Sequence, residues 1–324
     1  MISHIFYVYL NMSIIASIIA IILLIIRFIF GKIIPRKFIY SVWAIVLFRL
    51  LIPISLSSKW SIINIIDSYN IKSIKIPNNQ ADILSYTNTI QVANNYFPIK
   101  YKSQFITSFF NITSLIWLIG IFVIGIIAFI MYRITIKKLM KAKQTDEYND
   151  VLMQCMNVLK MKGKILIYKG DFIQTPAVIG LIKPKIIIPN SVDNKELKYI
   201  ILHELCHINR KDQLWKVLTI IAVCIHWYNP FVWLLFYIAD RDMEMSCDEK
   251  VLNNIQNNEK KQYATALTNM ACDPQFTVTA FGSTAIKARI LNIVHYRKLP
   301  LYMIIIMTIV CIIITILLIT NPTL

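Results

Sequence analysis

Long apolar stretches separated by polar and basic segments dominate the chain. Three of them lie in the first 131 residues, and each is long enough to cross a membrane as a helix. They run from Ile5 to Ile26, from about Phe38 to Leu56 and from about Ile112 to Met131. A fourth stretch runs from Leu299 to Ile319. This pattern predicts an α-helical membrane protein with four transmembrane helices.

Basic residues between the apolar stretches predict how the helices are oriented. Residues 27–37 contain four Lys and Arg side chains and no acid, and a second basic cluster follows Met131. Loops on the cytoplasmic side of a membrane carry such an excess of positive charge. We therefore expect the N-terminus, the loop 57–111 and the C-terminus to lie outside, and residues 132–298 to lie in the cytoplasm.

These predictions divide the chain into three parts. Residues 1–131 hold three transmembrane helices with the external loop 57–111, residues 132–298 form one cytoplasmic domain, and residues 299–324 form the fourth helix with a short external tail. A hydrophobic content of 57% and a mean hydropathy of +0.59 agree with a membrane protein. The 34 basic residues outnumber the 17 acidic residues, and we attribute this excess to cytoplasmic loops. No direct contact with nucleic acid is therefore predicted.

Helix and strand patterns alternate in residues 132–298 and predict an α+β domain. The predicted elements are an amphipathic helix at Asp146–Lys160, a strand at Lys164–Tyr168, a hairpin at Pro176–Pro189 turning at Lys183-Pro184, and a helix from about Asp193 through residue 207. Asn190 or Ser191 is expected to cap that helix, because short polar side chains accept hydrogen bonds from its first amides. The prolines of the hairpin favour an edge strand.

The last predicted helix contains the sequence His203-Glu204-Leu205-Cys206-His207. Residues four apart lie on one face of a helix, so His203 and His207 can present two imidazoles to one metal ion. Zinc suits neutral imidazole, and Glu204 can act as general base on a metal-bound water. The alternative is a chance occurrence of this short motif on a surface helix.

An acidic pair downstream supplies the third ligand that a catalytic zinc requires. Glu244 and Asp248 are four residues apart in a segment with a helical pattern. We predict one zinc ion per chain, held by His203, His207 and Glu244, with Asp248 accepting a hydrogen bond from a ligand imidazole. The alternative is a solvated face on which these acids pair with neighbouring basic residues.

The uncharged stretch Val217–Ala239 is long enough to be another span, but Asn229-Pro230 interrupts it. A single crossing would also place His203 and Glu244 on opposite sides of the bilayer. We therefore predict a helical hairpin, buried in the domain or dipping into the inner leaflet. His226 lies at its turn, where a polar residue at a bend is favoured over a further metal ligand.

Several segments together resemble one known family, the BlaR/MecR membrane zinc metallopeptidases, which are antirepressors of β-lactam resistance operons. The matching segments occur in family order and cover nearly the whole chain: Arg49–Pro53, Gly180–Pro189, His203–Asp212, His226–Trp233, Arg241–Asp248, Ala280–Gly282 and Ile286–Ile290.

The resemblance implies a gluzincin-type zinc metallopeptidase domain between the third and fourth transmembrane helices of a bacterial plasma-membrane protein. His203, His207 and Glu244 take the places of the zinc ligands, and Glu204 takes the place of the general base. The resemblance also implies an endopeptidase that transduces an external signal. Its expected substrates are a cytoplasmic winged-helix repressor of the BlaI/MecI kind, the peptidase itself, or both.

The sequence departs from this family at the C-terminus, where only a few residues follow the fourth stretch. The family's receptors carry a penicillin-binding sensor there. We expect either a short family member that responds to another signal or a truncated chain, and the activating signal stays open.

Two functions other than a regulatory peptidase are compatible with these motifs. A membrane quality-control or CAAX-type zinc peptidase shares the two metal-binding motifs, but Gly180–Pro189 and His226–Trp233 favour the BlaR/MecR type. A non-catalytic membrane signalling protein would have no need of Glu204. The sequence leaves the formation of a homodimer open.

Overall fold

The computed structural model of the protein describes most of the segments that these predictions concern. The described residues are 2–31, 34–53, 56–57, 104–171, 173, 175–271, 280–296 and short pieces between 302 and 321. Most of the predicted external loop and most of the predicted fourth span fall outside them.

Helices account for most of the described chain. Their bounds are α1 (Ile2–Phe30), α2 (Arg36–Leu51), α3 (Gln104–Leu139), α4 (Asn149–Val158), α5 (Asn194–Arg210), α6 (Asp212–Ile225), α7 (Pro230–Asn254), α8 (Lys260–Ala271) and α9 (Ala280–His295). The strands are β1 (Leu56–Ser57), β2 (Lys143–Thr145), β3 (Leu166–Gly170), β4 (Ala177–Ile179), β5 (Lys185–Pro189) and β6 (Thr320–Asn321).

The chain divides into two compact units. The first comprises residues 1–127, 218–239 and 300–324, and the second comprises residues 128–217 and 240–299. The stretch predicted as a hairpin therefore groups with the N-terminal helices. The predicted domain borders at residues 131 and 298 stay predictions.

Two of the described helices are long and apolar enough to cross a membrane. These spans are Ile5–Ile29 in α1 and Ser108–Leu139 in α3, each with a hydropathy of 2.8. The second predicted span corresponds to α2, which has only 16 residues. The count of four transmembrane helices thus remains a prediction.

In the first unit, the predicted break at Asn229-Pro230 is confirmed, because α6 ends at Ile225 and α7 begins at Pro230. Hydrogen bonds hold the intervening turn. The His226 Nε2 donates to the Leu50 carbonyl oxygen at 2.9 Å. The Asn229 side-chain amide donates to the hydroxyls of Ser13 and Ser17, at 2.7 and 2.8 Å. His226 is therefore a polar residue at a bend that bonds to the backbone.

The second unit contains a four-stranded sheet with the order β2-β3-β5-β4. The predicted hairpin is confirmed as β4 and β5, which pair antiparallel with Ile179 opposite Lys185. Strand β4 lies at the edge of the sheet, as expected for the hairpin, but β5, which ends at Pro189, lies between β3 and β4, so for this strand the expectation is wrong. The turn requires Gly180, whose φ is +92° and where an added Cβ would lie 2.6 Å from the Lys183 carbonyl oxygen. The Gln213 side-chain amide donates to the Val178 carbonyl oxygen of β4.

Helix α5 carries the two histidines and begins where the predicted helix begins. Its cap is Asp193, whose carboxylate accepts from the Lys195 amide at 3.1 Å, so the assignment of the cap to Asn190 or Ser191 is wrong. The helix ends at Arg210, and the residue that follows it, Lys211, has a left-handed φ of +59°. That turn lets α6 begin at once with Asp212.

One face of α5 packs into the apolar core of the second unit. Leu202 and Leu205 of this helix are almost completely buried, together with Ile186 and Ile188 of β5 and Val251 of α7. Each fully buried Leu or Ile side chain contributes about 1.5–3 kcal/mol to folding. This packing fixes the rotation of α5 and of the last turns of α7 about their own axes.

Candidate metal centre

Helices α5 and α7 bring the three predicted ligands together. The Nε2 atoms of His203 and His207 are 3.1 Å apart. The Glu244 Oε2 lies 3.5 Å from the His203 Nε2, and the Glu244 Oε1 lies 3.6 Å from the His207 Nε2. The two imidazoles and the carboxylate therefore face one another across 3.1 to 3.6 Å, and we call these three groups the metal triangle.

The separations within the metal triangle are close to those between neighbouring ligands of a tetrahedral zinc ion. Nitrogen and oxygen ligands lie about 2.0–2.1 Å from zinc, which places neighbouring ligands of a tetrahedron about 3.3 Å apart. The observed separations of 3.1 to 3.6 Å bracket that value. The residues present thus fit a zinc ion without a large rearrangement.

Hydrogen bonds on the far side of each ring set the tautomers of both histidines. The His207 Nδ1 lies 2.7 Å from a carboxylate oxygen of Asp212, which can only accept, so the proton is on Nδ1. The Tyr263 hydroxyl donates to Asp248 at 2.6 Å and therefore accepts from the His203 Nδ1 at 3.0 Å. In both rings the Nε2 lone pair is left for a metal.

Two lone pairs facing each other at 3.1 Å in a buried site repel unless a cation lies between them. Burial lowers the pKa of His203, but the negative charge of its neighbours, among them the Glu244 carboxylate, outweighs burial and raises that pKa. For Glu244, burial is outweighed by the two imidazoles and Arg289, which hold the pKa of its carboxyl well below the usual value. The site is electrostatically suited to positive charge, supplied by a proton or by a metal ion.

Glu204 follows His203 directly on α5 and is half-buried. Burial raises the pKa of its carboxyl, against the opposing effect of the two neighbouring imidazoles. A carboxyl with a raised pKa is a better proton acceptor than an ordinary surface glutamate. Its environment therefore suits the predicted role of general base.

Asp248 lies beside His203, but Tyr263 stands between them. The Asp248 carboxylate is 3.5 Å from the His203 Nδ1, whereas the Tyr263 hydroxyl is within hydrogen-bond distance of both groups. The effect of Asp248 on the imidazole therefore passes mainly through the tyrosine hydroxyl.

Replacing Tyr263 by phenylalanine is expected to lower zinc affinity by about 10–100-fold, the usual effect of losing an outer partner of a ligand histidine. The ring is retained, so packing is conserved while the His203 Nδ1 loses its acceptor. Competition with a fluorescent zinc chelator measures the affinity. Tyr168→Phe, on strand β3, is the matched control, and equal affinity of the two variants would contradict the orienting role of Tyr263.

Cys247 offers a second possible third ligand. Ligand atoms of His203, His207 and Cys247 all lie within 4.8 Å of one another. The Cys247 thiol, however, donates to the backbone carbonyl of His203 at 3.5 Å and is fully buried in the core. The oxygens of Glu244 lie 3.5 and 3.6 Å from the two Nε2 atoms, and among the described residues no backbone bond occupies them as one occupies the thiol, so we favour the set with the carboxylate.

Three residues around the triangle were given no role from the sequence: Asp212, Tyr263 and Arg289. Asp212 follows His207 by five residues and could have been found as an acid just beyond the helix end. Tyr263 and Arg289 lie 60 and 86 residues from His203, and no spacing rule connects them to it.

The chain matches the family described as BlaR1 peptidase M56 over residues 7–293. It is 27% identical over 195 residues to the regulatory protein BlaR1 of Bacillus licheniformis, which covers 56% of this chain and 32% of that protein. It is 28% identical over 270 residues to the methicillin resistance mecR1 protein of Staphylococcus aureus, covering 80% and 45%. It is 29% identical over 243 residues to BlaR1 of Staphylococcus aureus, covering 73% and 41%. The chain spans 32 to 45% of the length of these relatives.

Proposed function

The chain belongs to the BlaR1 peptidase M56 family, and we propose from this premise that it is a membrane zinc endopeptidase that transduces an external signal. The observation that carries the proposal is the triangle of His203, His207 and Glu244 with both Nε2 lone pairs directed into it. This arrangement sits beside Glu204, a carboxyl with a raised pKa. Together they supply a metal site and a proton acceptor.

His203, His207 and Glu244 would hold one zinc ion per chain. A zinc ion held there would polarise a substrate carbonyl and would lower the pKa of a water molecule to about 7. Glu204 takes the proton of the attacking water and passes it to the departing amine, so the peptide bond is broken by addition of one water. Asp212, and Asp248 through Tyr263, keep the two imidazoles oriented during these steps.

The proposed substrates are a cytoplasmic repressor of the BlaI/MecI kind, the chain itself, or both. Support comes from relatives named as regulatory and methicillin-resistance proteins. The test compares new protein N-termini in cells that carry the wild-type chain with those in cells that carry Glu204→Gln. Glu204-dependent cuts confined to a winged-helix repressor or to this chain are expected. Cuts spread over many membrane proteins would favour a quality-control peptidase instead.

The proposed topology is multi-pass, with the N- and C-termini outside the cell and the metal centre in the cytoplasm. It rests on the basic clusters near residues 27–37 and after Met131, and on the two apolar helices.

Lys195 is exposed at the start of α5 and serves as a reporter of sidedness. A cysteine at this position is expected to react with a membrane-impermeant maleimide only after cells are permeabilised. Asn88→Cys, in the predicted external loop, is the control that should react in intact cells, with the wild-type chain as background. Labelling of Lys195→Cys in intact cells would overturn the topology.

A further inference from the structure

Arg289 is fixed beside the metal centre by Asp248. Its Nε donates to one carboxylate oxygen of Asp248 at 2.8 Å, and its Nη2 donates to the other at 2.7 Å. Such a two-point pairing fixes the plane of the guanidinium as well as its position. The side chain reaches the site from helix α9 and is only 20% exposed.

The other edge of the same guanidinium faces the metal triangle. The Arg289 Nη1 lies 3.4 Å from the Glu244 Oε2, and its Nη2 lies 3.4 Å from the His203 Nε2. Both separations exceed those of the bonds to Asp248. The Nη1 atom carries two N–H donors, so donor capacity remains on the edge that faces the two ligand atoms.

A purely structural salt bridge does not need this orientation. Pairing with Asp248 would anchor α9 equally well with the guanidinium turned away from His203 and Glu244. A fixed cation beside a zinc ion is also electrostatically unfavourable by itself, and Asp248 and Glu244 offset that repulsion. The arrangement becomes useful when negative charge develops next to the metal.

Peptide hydrolysis develops such a charge. When water adds to the carbonyl carbon, the π electron pair moves onto the carbonyl oxygen, which becomes an oxyanion. Fixed N–H donors at that oxygen stabilise the transition state more than the ground state, and no proton needs to be transferred. We propose that Arg289 is a further catalytic residue that donates a hydrogen bond to this oxyanion. The inference rests on the proposed peptidase function.

The test uses the full-length protein in detergent, with Arg289→Lys as the main variant, because lysine keeps the charge but loses the planar fork. Zinc content and unfolding temperature are expected to stay near the wild-type values. The kcat for labelled casein should fall by about 10²–10³-fold with KM nearly unchanged, as for loss of an oxyanion donor. Affinity for an N-phosphoryl dipeptide, whose tetrahedral oxygens imitate the oxyanion, should fall as well.

Two further variants separate a direct from a structural role. Lys287→Gln removes an exposed charge from the same helix and should match the wild type in every readout. Arg289→Ala should regain part of its kcat when guanidinium is added at millimolar concentration, because the small cation can occupy the vacated place.

The inference is overturned if Arg289→Lys binds the phosphoryl dipeptide and cleaves casein like the wild type. A second pair of results also overturns it: Arg289→Lys loses zinc or unfolds at a lower temperature, and guanidinium does not restore the kcat of Arg289→Ala. Arg289 would then be only a structural link to Asp248. A wild-type protein that binds zinc and cleaves casein in the same experiment shows that the proposed function survives either outcome.

Discussion

Replacing Glu204 by glutamine is expected to leave zinc bound and to lower peptide hydrolysis by about 10²–10⁴-fold, the usual effect of losing a general base. Glutamine has nearly the same shape as glutamate but cannot accept the proton of the attacking water. The zinc content should not change, because the metal triangle consists of His203, His207 and Glu244 and does not include Glu204. Turnover of labelled casein by the purified full-length protein, together with its zinc content, provides the measurement.

Glu196→Gln is the matched control for this experiment. Glu196 lies in the first turn of the same helix, two turns before the motif, and undergoes the same chemical change. Its variant should retain full activity and stoichiometric zinc. Undiminished hydrolysis by Glu204→Gln would exclude Glu204 as the base and the mechanism with it.

Replacing Glu244 by alanine is expected to remove both stoichiometric zinc and activity. The carboxylate supplies one of three donors, and without it two neutral imidazoles would have to hold a dication in a buried site. The loss of zinc affinity should exceed the roughly 10–100-fold loss that is typical when a residue hydrogen-bonded to a ligand is removed, because Glu244 is itself a ligand. Metal analysis after dialysis against a weak chelator measures this loss.

Cys247→Ser is the informative comparison for Glu244→Ala. It removes the thiol that forms the second possible donor set with the two histidines, while it alters little volume in the core. We expect the serine variant to keep one zinc per chain. If instead Cys247→Ser lost zinc and Glu244→Ala kept it, the third ligand would be the thiol and the assignment of Glu244 would be wrong.

Local geometry explains why part of the site could be predicted from the sequence. Helix periodicity alone places His203 and His207 on one face, and the structure has their Nε2 atoms 3.1 Å apart. Glu244 and Asp248 share a face for the same reason. The proximity of Glu244 to the two histidines was a hypothesis about tertiary structure, because a catalytic zinc requires a third ligand. In the structure, the oxygens of Glu244 lie 3.5 and 3.6 Å from the two Nε2 atoms.

The surroundings of the triangle could not be predicted in this way. Tyr263 inserts its hydroxyl between His203 and Asp248, although a direct contact was expected, and Arg289 approaches from a helix 86 residues away. These contacts depend on how α8 and α9 pack against α5 and α7. That packing is not encoded in the spacing of any motif.

The fold shows the same division between local and tertiary determinants. The β4–β5 hairpin and the helix break at Asn229-Pro230 were predicted because proline imposes local geometry. The cap of α5 was placed too early, since Asn190, Ser191 and Asp193 are all competent caps and only the helix start decides among them. Strand β2 was missed because it has only three residues and forms by pairing with β3.

Zinc K-edge X-ray absorption on the purified full-length protein tests the central claim most directly. We expect one zinc per chain, surrounded only by nitrogen and oxygen at about 2.0–2.1 Å, with the outer-shell signature of two imidazoles. A sulfur neighbour at about 2.3 Å, or a protein that binds no zinc at all, would contradict it.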